Sequence, residues 1–403
     1  MKKSRALTVL WAVFTAVSCL LTPAGATEVA EIYPDNLLPE PYWSETYSAV
    51  EYVPSGDAKG LILMEFDTGE VLFKQNESVR LPLASVTKVM STLLVMEAID
   101  SGRISLTDAV TASENAASMG GSQIFLEPGE EMSVHDLLKA LIIASANDAT
   151  VALGEYLCGS ESSFVAEMNR RALELGCVDT NFVNTNGLPA EGHFSSAYDV
   201  ALMTRELMKH ELVFAYTGIW TDTVRDGAFG LANTNKLIRF YKGATGMKTG
   251  FTDEAGYCLS ATAERDGMKL IAVILGASTS DKRFSEAKGM LDYGFANYSV
   301  ITPEPPQIDP LPVTKGSKTH VAVKTDSCKI LTGKGSSAVP ECTVTLNESI
   351  TAPVKEGDVL GYAVYTLEGS EVARVPVTSC ENVERASWQM LFCELLKRIF
   401  GSM

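Results

Sequence analysis

The first part of the chain changes from a strand-like to a helix-like pattern of apolar residues. Two short apolar runs, 61–64 and 71–73, flank the turn sequence Asp67-Thr-Gly69, which predicts a β-hairpin. Later stretches rich in Met, Leu, Ile, Val or Ala contain no proline and follow the longer period typical of buried helices. These helices are predicted over 85–99, 135–143 and 148–157.

After residue 242 the strand-like pattern returns. Three apolar stretches separated by turn sequences predict strands, and a helical pattern follows them. The strands are predicted over 247–251, 256–263 and 268–275, and the helix over 284–298. Strands at both ends of the region with helices between them predict an α+β fold, in which residues 54–300 form an antiparallel sheet and a helical body.

The C-terminal part of the chain has a different pattern. Residues 301–312 are rich in proline and predict a semi-rigid linker. Residues 313–378 alternate apolar and polar side chains between glycine turns, which predicts a small all-β domain. Over 379–403 the apolar residues recur at helical spacing and predict an amphipathic helix. This helix could pack on the β-domain, but its terminal position favours a membrane surface, with aromatic residues such as Trp388 and Phe392 inserted.

The N-terminus has the features of a secretory signal. Basic residues precede an apolar run over 6–21, and Ala24-Gly-Ala26 supplies small residues for signal peptidase. The run is shorter than the roughly 20 apolar residues that a membrane span needs. We therefore predict a signal peptide over 1–26, an N-terminal extension over 27–53, and export across the cytoplasmic membrane to the cell envelope.

Composition narrows the classes of partner. The chain has 33 basic and 50 acidic residues, a net charge of −17 at pH 7, which disfavours nucleic acid as a partner. Seven cysteines follow the predicted signal, irregularly spaced and without a histidine arrangement typical of zinc sites. We therefore expect no metal or cofactor. Cys328 and Cys342 are the one pair that we consider as a disulfide.

The string Ser85-Val-Thr-Lys88 combines a nucleophile with a nearby amine. A serine hydroxyl is almost fully protonated at pH 7 and needs a base within hydrogen-bonding reach. Position i+3 on a helix places Lys88 on the same face as Ser85. Its amine acts as a base only if burial and a second cation lower its pKa, and Lys248 is the candidate for that cation. The structural alternative is an N-cap serine followed by a surface lysine.

Two further strings supply the remaining parts of an acyl-transfer site. Ser145-Ala-Asn147 follows an apolar helix, so that Ser145 could relay a proton and Asn147 could donate to a substrate backbone, or both could simply cap a helix. Lys248-Thr-Gly250 lies on a predicted strand, where Lys248 and Thr249 suit a substrate carboxylate. Gly250 leaves room for close approach of a substrate. Alternatively, Lys248 is an edge-strand lysine that deters aggregation.

The three strings and their surroundings resemble the secreted serine D-alanyl-D-alanine carboxypeptidases, the low-molecular-mass penicillin-binding proteins related in fold to class A β-lactamases. The blocks that carry the resemblance are 80–90, Gly121-Ser122, 145–149, 186–188, 193–199 and 248–256. The proline-rich linker, β-domain and terminal helix are also similar to that family. The resemblance implies a β-lactamase/transpeptidase-like catalytic domain. One departure from the family pattern, Asn184-Thr-Asn186, is expected to affect a loop rather than the chemistry.

The resemblance also implies a reaction and a set of roles. Ser85 would form an acyl-enzyme with the penultimate D-alanine of a peptidoglycan stem peptide, and β-lactams would acylate it in the same way. Lys88 would be the base and Ser145 the proton relay. The backbone N–H groups of Ser85 and Phe251 would form the oxyanion hole. The substrate-binding residues would be Asn147, Lys248, Thr249, Gly250 and Phe251.

Two other functions use similar strings. A class A-like β-lactamase needs a carboxylate that activates the deacylating water, usually in a Glu-x-x-Leu-Asn segment, and none occurs between Asn147 and Lys248. A catalytically silent penicillin-binding wall sensor would be expected to lack one of the catalytic groups, and all of them are present. The carboxypeptidase is therefore the favoured function.

Overall fold

The computed structural model describes residues 52–54, 57–347, 350–392 and 396. The predicted signal peptide, 1–26, and the predicted extension up to residue 51 lie outside the described residues. Helices and strands alternate through residues 57–300 as the sequence predicts, and the α+β fold class is confirmed.

The strands of this region are β1 (Gly60–Glu65), β2 (Val71–Gln75), β3 (Ala109–Thr111), β4 (Glu131–Ser133), β5 (Thr221–Val224), β6 (Phe229–Ala232), β7 (Ala244–Thr252), β8 (Gly256–Arg265), β9 (Met268–Ala277) and β10 (Tyr298–Ile301). The helices are α1 (Lys88–Asp100), α2 (Glu114–Ala117), α3 (Val134–Ile142), α4 (Asn147–Cys158), α5 (Glu161–Glu174), α6 (Ala197–Leu207), α7 (Phe214–Thr217), α8 (Leu237–Phe240) and α9 (Ser280–Asn297). Two 3-10 turns, Ala84–Thr87 and Glu211–Val213, precede α1 and α7.

Five strands form one antiparallel sheet in the order β2-β1-β9-β8-β7. The hairpin from the beginning of the domain therefore pairs with strands from its end, along a register that runs from Gly60 opposite Leu275 to Glu65 opposite Leu270. This order leaves β2 and β7 at the edges. The edge strand β7 carries Lys248, Thr249 and Gly250.

The sheet has an apolar layer on each face. Because successive strand residues point to opposite faces, Leu61 and Leu63 of β1 pack with the core beneath α9, whereas Ile62 and Met64 pack with the helical body. The strand is buried on both faces as a result. In the helical body, ten of the thirteen residues of α1 are buried. The buried helix that the sequence predicts over 85–99 therefore lies inside the helical body.

Several element boundaries differ from the sequence-based predictions, and two of the differences have local reasons. The helix predicted from residue 85 begins as the 3-10 turn Ala84–Thr87, and α1 follows at Lys88. Helix α9 begins at Ser280, before the predicted residue 284, because the Thr279 hydroxyl accepts a hydrogen bond from the Lys282 N–H and caps the helix.

The C-terminal region is all β. Its strands are β11 (Leu311–Thr314), β12 (His320–Val321), β13 (Val323–Thr325), β14 (Ile330–Gly333), β15 (Glu341–Leu346), β16 (Ile350–Thr351), β17 (Val359–Leu367) and β18 (Ser370–Ser379). Strand β11 begins inside the predicted 301–312 linker, and β10 pairs with β14 across the predicted boundary at residue 300. The two regions also meet at Lys329, whose ammonium donates to Asp67 Oδ2 at 2.9 Å and to the Gly267 carbonyl oxygen at 2.9 Å.

The amphipathic helix predicted over 379–403 begins later than expected. Residues 380–387 are not helical: Val383 is fully buried in the β-domain core and pairs with Val354 in an isolated bridge. Helical structure begins at Trp388. Apolar residues near the start of the predicted helix thus belong to the β-domain, because a buried pairing partner outweighs their helical spacing.

Two further observations concern cysteines and membrane-spanning segments. Each of the six cysteines in the described residues is a free thiol, including Cys328 and Cys342, so the disulfide considered between them is not formed. Within the described ranges, no helix is both long enough and apolar enough to cross a membrane.

Candidate active site

Ser85 and Lys88 meet where the 3-10 turn joins α1. About three residues complete a 3-10 turn, so the two side chains project on the same side. Lys88 Nζ lies 3.0 Å from Ser85 Oγ. Ala84, immediately before Ser85, has a φ of 48°, in the left-handed region that non-glycine residues rarely adopt. Local backbone strain of this kind is common where a fold presents a reactive side chain.

Lys88 is fully buried and sits among hydrogen-bond acceptors. Its Nζ lies 2.5 Å from Asn147 Oδ1 and 3.0 Å from the Asn186 carbonyl oxygen. Burial lowers the pKa of Lys88 well below its ordinary value of 10.5, and the positive charge of Lys248 lowers it further, while Asp148 opposes the change. This arrangement supplies both the burial and the second cation that the sequence analysis requires for a low pKa of Lys88.

In its neutral form, the Lys88 amine has two N–H donors and one lone pair. Neither the Asn147 amide oxygen nor the Asn186 carbonyl can donate, so both accept from the amine and use its two N–H groups. The lone pair is then left for the third neighbour, the Ser85 hydroxyl, at 3.0 Å. The geometry therefore directs the basic site of Lys88 at the proton that a nucleophilic serine must lose.

Asn147 has a different position from the one expected. The sequence suggests that its amide donates to a substrate, but Oδ1 accepts from Lys88 and Nδ2 donates to the Gly120 carbonyl at 2.6 Å. Its backbone N–H donates to the Ser122 carbonyl at 2.7 Å, at the first residue of α4. These contacts hold the side chain so that its oxygen faces the lysine.

Ser145 lies in the short connection between α3 and α4. It is 4% exposed and has a φ of 61°, again in the left-handed region. In the described part of the chain, Lys88 Nζ lies within hydrogen-bonding distance of Ser85, Asn147 and Asn186 and not of Ser145. A proton relay through Ser145 therefore requires a substrate or a small movement of the side chain to complete it.

The third string lies on β7, the edge strand. Lys248 is buried, and its Nζ donates to the Thr249 carbonyl at 2.8 Å. Burial, together with the Arg283 guanidinium, lowers the pKa of Lys248 to about 7. A substrate carboxylate placed beside it would favour the charged form. The Thr249 hydroxyl lies 2.6 Å from that of Thr234, so the two hydroxyls are linked next to the lysine.

Gly250 is close to the protein's own backbone. A Cβ atom at Gly250 would lie 2.7 Å from the Leu83 carbonyl oxygen, 2.9 Å from Ser85 N and 3.0 Å from Val86 N. The expected space for a substrate is thus occupied by the 3-10 turn that carries Ser85. Gly250 lets β7 approach that turn, and Phe251 follows with a half-exposed ring packed 4.3 Å from the ring of Tyr257.

Sequence reasoning misses three residues of the site: Asn186, Arg283 and Thr234, whose hydroxyl is linked to that of Thr249. The sequence predicts Asn186 in a loop outside the chemistry, yet its carbonyl oxygen accepts from Lys88. Arg283, 6% exposed, donates to the carbonyl oxygens of Gly250 at 3.0 Å and Cys258 at 3.1 Å and faces Lys248. A backbone acceptor carries no side-chain signal. Arg283 lies 35 positions after Lys248 in a helix that the sequence predicts only from residue 284.

The described residues contain no group of three or more His, Cys, Asp or Glu side chains that could hold a metal ion.

Comparison with known proteins identifies the family. The D-alanyl-D-alanine carboxypeptidase model of peptidase S11 matches residues 48–279, and the model of the C-terminal domain of penicillin-binding protein 5 matches residues 306–385. The chain is 44% identical to D-alanyl-D-alanine carboxypeptidase DacF of Bacillus subtilis (strain 168), over 86% of this chain and 90% of that protein.

Solved structures agree with this assignment. Penicillin binding protein 5 from Haemophilus influenzae has a TM-score of 0.71 and 31% identity, over 83% of this chain and 99% of that chain. Penicillin-Binding Protein D2 from Listeria monocytogenes, in the ampicillin-bound form, has a TM-score of 0.54 and 35% identity, over 59% of this chain and 97% of that chain. The chain belongs to the D-alanyl-D-alanine carboxypeptidase family. It is a serine-type carboxypeptidase with a penicillin-binding protein fold, and the family, fold class and enzyme class predicted from the sequence are confirmed.

Proposed function

We propose that Ser85 of this protein removes the terminal D-alanine from peptidoglycan stem pentapeptides through an acyl-enzyme, and that β-lactams acylate the same hydroxyl. The observation that carries the proposal is the hydrogen-bonding of Lys88. Two acceptors, Asn147 Oδ1 and the Asn186 carbonyl, use the amine's N–H groups and leave its lone pair toward Ser85 Oγ. A buried lysine with a lowered pKa suits a general base near neutral pH.

The reaction has two stages. Ser85 Oγ attacks the carbonyl carbon of the penultimate D-alanine while its proton passes to Lys88. The carbon–nitrogen bond then breaks, and Ser145 relays the proton to the amine of the departing D-alanine. Water attacks the resulting ester and gives a proton to Lys88, the bond between the acyl carbon and Ser85 Oγ breaks, and Lys88 returns that proton to Ser85 Oγ. The protein remains unchanged overall and one peptide bond is hydrolysed.

The substrate is held at its carboxylate and at its reacting carbonyl. Lys248 and the linked hydroxyls of Thr249 and Thr234 suit the terminal carboxylate. The N–H groups of Ser85 and Phe251 would bind the developing oxyanion, where fixed donors lower the barrier more than they stabilise the ground state. Close packing of Gly250 against the turn that carries Ser85 supports this pairing, because it brings β7 and that turn together.

Mass spectrometry of the purified protein tests the proposal. We expect an N-acetylated Lys-D-Ala-D-Ala peptide to lose one D-alanine, and benzylpenicillin to leave a stable penicilloyl adduct on the peptide that contains Ser85. Ser85→Ala should abolish both results, because the attacking oxygen is removed. Rapid hydrolysis of penicillin without release of D-alanine would instead indicate a β-lactamase. An adduct without peptide turnover would indicate a wall sensor.

We also propose that the protein is exported and that its C-terminal segment contacts the outer face of the cytoplasmic membrane. The support is local: Trp388 and Phe392 stack at 5.4 Å on exposed helical residues, and the Trp388 side chain is 74% exposed. Met390 and Leu391 beside them are about half exposed. Exposed aromatic and aliphatic residues grouped on a terminal helix suit insertion at a bilayer interface.

A vesicle flotation experiment tests the membrane contact. The protein should float with vesicles of phosphatidylcholine and phosphatidylglycerol, and the double variant Trp388→Ser, Phe392→Ser should bind at least roughly tenfold more weakly, because apolar area leaves the interface. Val339→Ser is the control, since Val339 is 80% exposed in the same domain but outside the helix. Equal binding by the double variant and the wild type would exclude this helix as the membrane contact.

A further inference from the structure

The segment 183–193 lies against the turn that carries Ser85. The Ser91 hydroxyl donates to the Thr185 carbonyl at 2.6 Å, and Lys88 donates to the Asn186 carbonyl at 3.0 Å. Gly187 fits so closely that a Cβ atom there would lie 1.9 Å from the Ala84 carbonyl oxygen. The segment therefore supplies one of the two acceptors that orient the amine of Lys88.

His193 joins the far end of this segment to the same turn. The residue is buried, at 7% exposure. The backbone N–H of Val183 donates to His193 Nδ1 at 3.1 Å, so Nδ1 must be unprotonated and the ring proton lies on Nε2. Nε2 therefore donates to Thr87 Oγ1, 2.8 Å away. Thr87 lies between Ser85 and Lys88 in the sequence. Because the His193 ring also accepts from Val183, its bond to Thr87 connects both ends of the segment to the turn.

Burial keeps the imidazole neutral, since it lowers the pKa of His193 to about 4. A protonated ring would place an N–H at Nδ1 against the Val183 N–H, and this contact would be lost. At neutral pH the ring thus has one acceptor and one donor, and both are used.

We propose that His193 is a positioning residue for acylation. Its hydrogen bond to Thr87 holds segment 183–193 in place. The Asn186 carbonyl of this segment therefore stays within hydrogen-bonding distance of Lys88, beside Ser85. This role rests on the proposed function of Ser85 as the nucleophile. His193 itself does not touch the reacting atoms. It acts by keeping the acceptor of Lys88 in place and water away from the amine.

The charged surroundings give the expected direction of the effect. Lys88 is faced by Lys248 from β7 and by Asp148 from α4. A cavity of about 460 Å³ beside His193 carries the carboxylates of Glu191 and Glu254 on its wall. If the segment loosens, water from this cavity reaches Lys88 and relieves the desolvation that lowers its pKa. The pKa of Lys88 then rises, and acylation requires a higher pH.

The test compares His193→Ala with His193→Gln in the full protein. The rate of benzylpenicillin adduct formation on Ser85 is measured by mass spectrometry across a pH series. His193→Ala should acylate about tenfold more slowly at pH 7, which is the effect of losing about one hydrogen bond. The acid limb of its pH–rate profile, where the rate falls with falling pH, should move to higher pH. Glutamine offers Oε1 to Val183 and an N–H to Thr87, and it should restore most of the rate and the original limb.

Thr87→Val provides a second route, because it removes the acceptor hydroxyl with little change of shape. It should reproduce the slower acylation, and the double variant His193→Ala, Thr87→Val should be no slower than either single variant. His135→Ala is the control, since His135 also bonds to a hydroxyl, that of Tyr216 at 2.8 Å, but in α3. It should acylate like the wild type.

Several outcomes would overturn the positioning role. One is an unchanged acylation rate and acid limb in folded His193→Ala or in Thr87→Val. Another is a slower rate with an unmoved acid limb and no rescue by glutamine, which would make His193 a purely structural residue. Absence of any Ser85 adduct in the wild type would be a different result, because it would refute the proposed function itself.

Discussion

Replacing Lys88 with methionine should lower the rate of Ser85 acylation by about a thousandfold, within the range that a general base contributes to catalysis. Methionine fills a similar volume without a lone pair, so nothing takes the proton from the Ser85 hydroxyl. The change also leaves Asn147 Oδ1 and the Asn186 carbonyl without the donor they share. Rates of penicilloyl adduct formation, measured under single-turnover conditions, check this directly.

Lys139→Met is the matched control. Lys139 is also buried, at 9% exposure, and its ammonium donates to the Thr223 carbonyl at 2.6 Å and pairs with Asp222 at 2.9 Å. Its loss should cost stability but leave acylation close to the wild-type rate. If Lys88→Met retained acylation within roughly tenfold of the wild type, a different group would have to be the base.

Lys88→Met should also change how the free energy of unfolding depends on pH. Folded Lys88 releases its proton well below pH 10.5, whereas the unfolded side chain keeps its proton up to about that pH. Between the two pKa values the unfolded state binds more protons, so the free energy of unfolding rises with pH, and this contribution is lost as pH falls. Lys248 contributes likewise from about pH 7 upward. Urea unfolding at a series of pH values should show a shallower rise in Lys88→Met, and an unchanged slope would argue against a lowered pKa at Lys88.

Gly187→Ala should be the most damaging change of a single small residue near the site. Gly187 has a φ of 85°, and its Cβ would lie 1.9 Å from the Ala84 carbonyl oxygen and 2.8 Å from Thr87 Oγ1. Either the loop or the turn that carries Ser85 must move. We expect a loss of about 3 kcal/mol in the free energy of unfolding from overpacking and backbone strain together. Acylation should fall about a hundredfold, because reacting groups are displaced.

Gly192→Ala separates the contact from the backbone strain. Gly192 has a φ of 81° in the same loop, but the nearest atoms to its Cβ would be 3.9 and 4.0 Å away. This variant should lose only about 1 kcal/mol from the left-handed backbone and keep its acylation rate. Equal damage in the two variants, by urea unfolding and adduct formation, would mean that contact with the Ser85 turn is unimportant.

Much of the fold could be predicted because its elements have strong local patterns. A short stretch of sequence is enough to show the apolar pattern of the hairpin at 61–73, of the buried helix α1 and of the strands β7 to β9. The predicted start of the C-terminal helix fails because a distant partner competes with the local pattern. Val383 has helical spacing to later apolar residues, yet pairing with Val354 and burial in the β-domain decide its conformation.

The candidate site was predictable where chemistry resides in side chains at short spacing. Ser85 and Lys88 are three positions apart, so the helical period alone brings them together. Contributions from the backbone were not predictable in this way. The Asn186 carbonyl, 98 positions from Lys88, is identical to every other carbonyl in the sequence, and only the path of the loop brings it to the amine.

The sequence by itself determined the inventory of the site: two serines, two lysines, an amide, a threonine and a glycine in three ordered strings, within an α+β domain followed by a β-domain. The tertiary structure alone decided what each group contacts. In the folded protein, Asn147 contacts Lys88 and the turn that carries Ser85 fills the space at Gly250. Arg283 lies close enough to Lys248 to lower its pKa. The physical reason is that local periodicity depends on neighbours within one turn, whereas burial, pKa and hydrogen-bond partners depend on residues that only folding brings together.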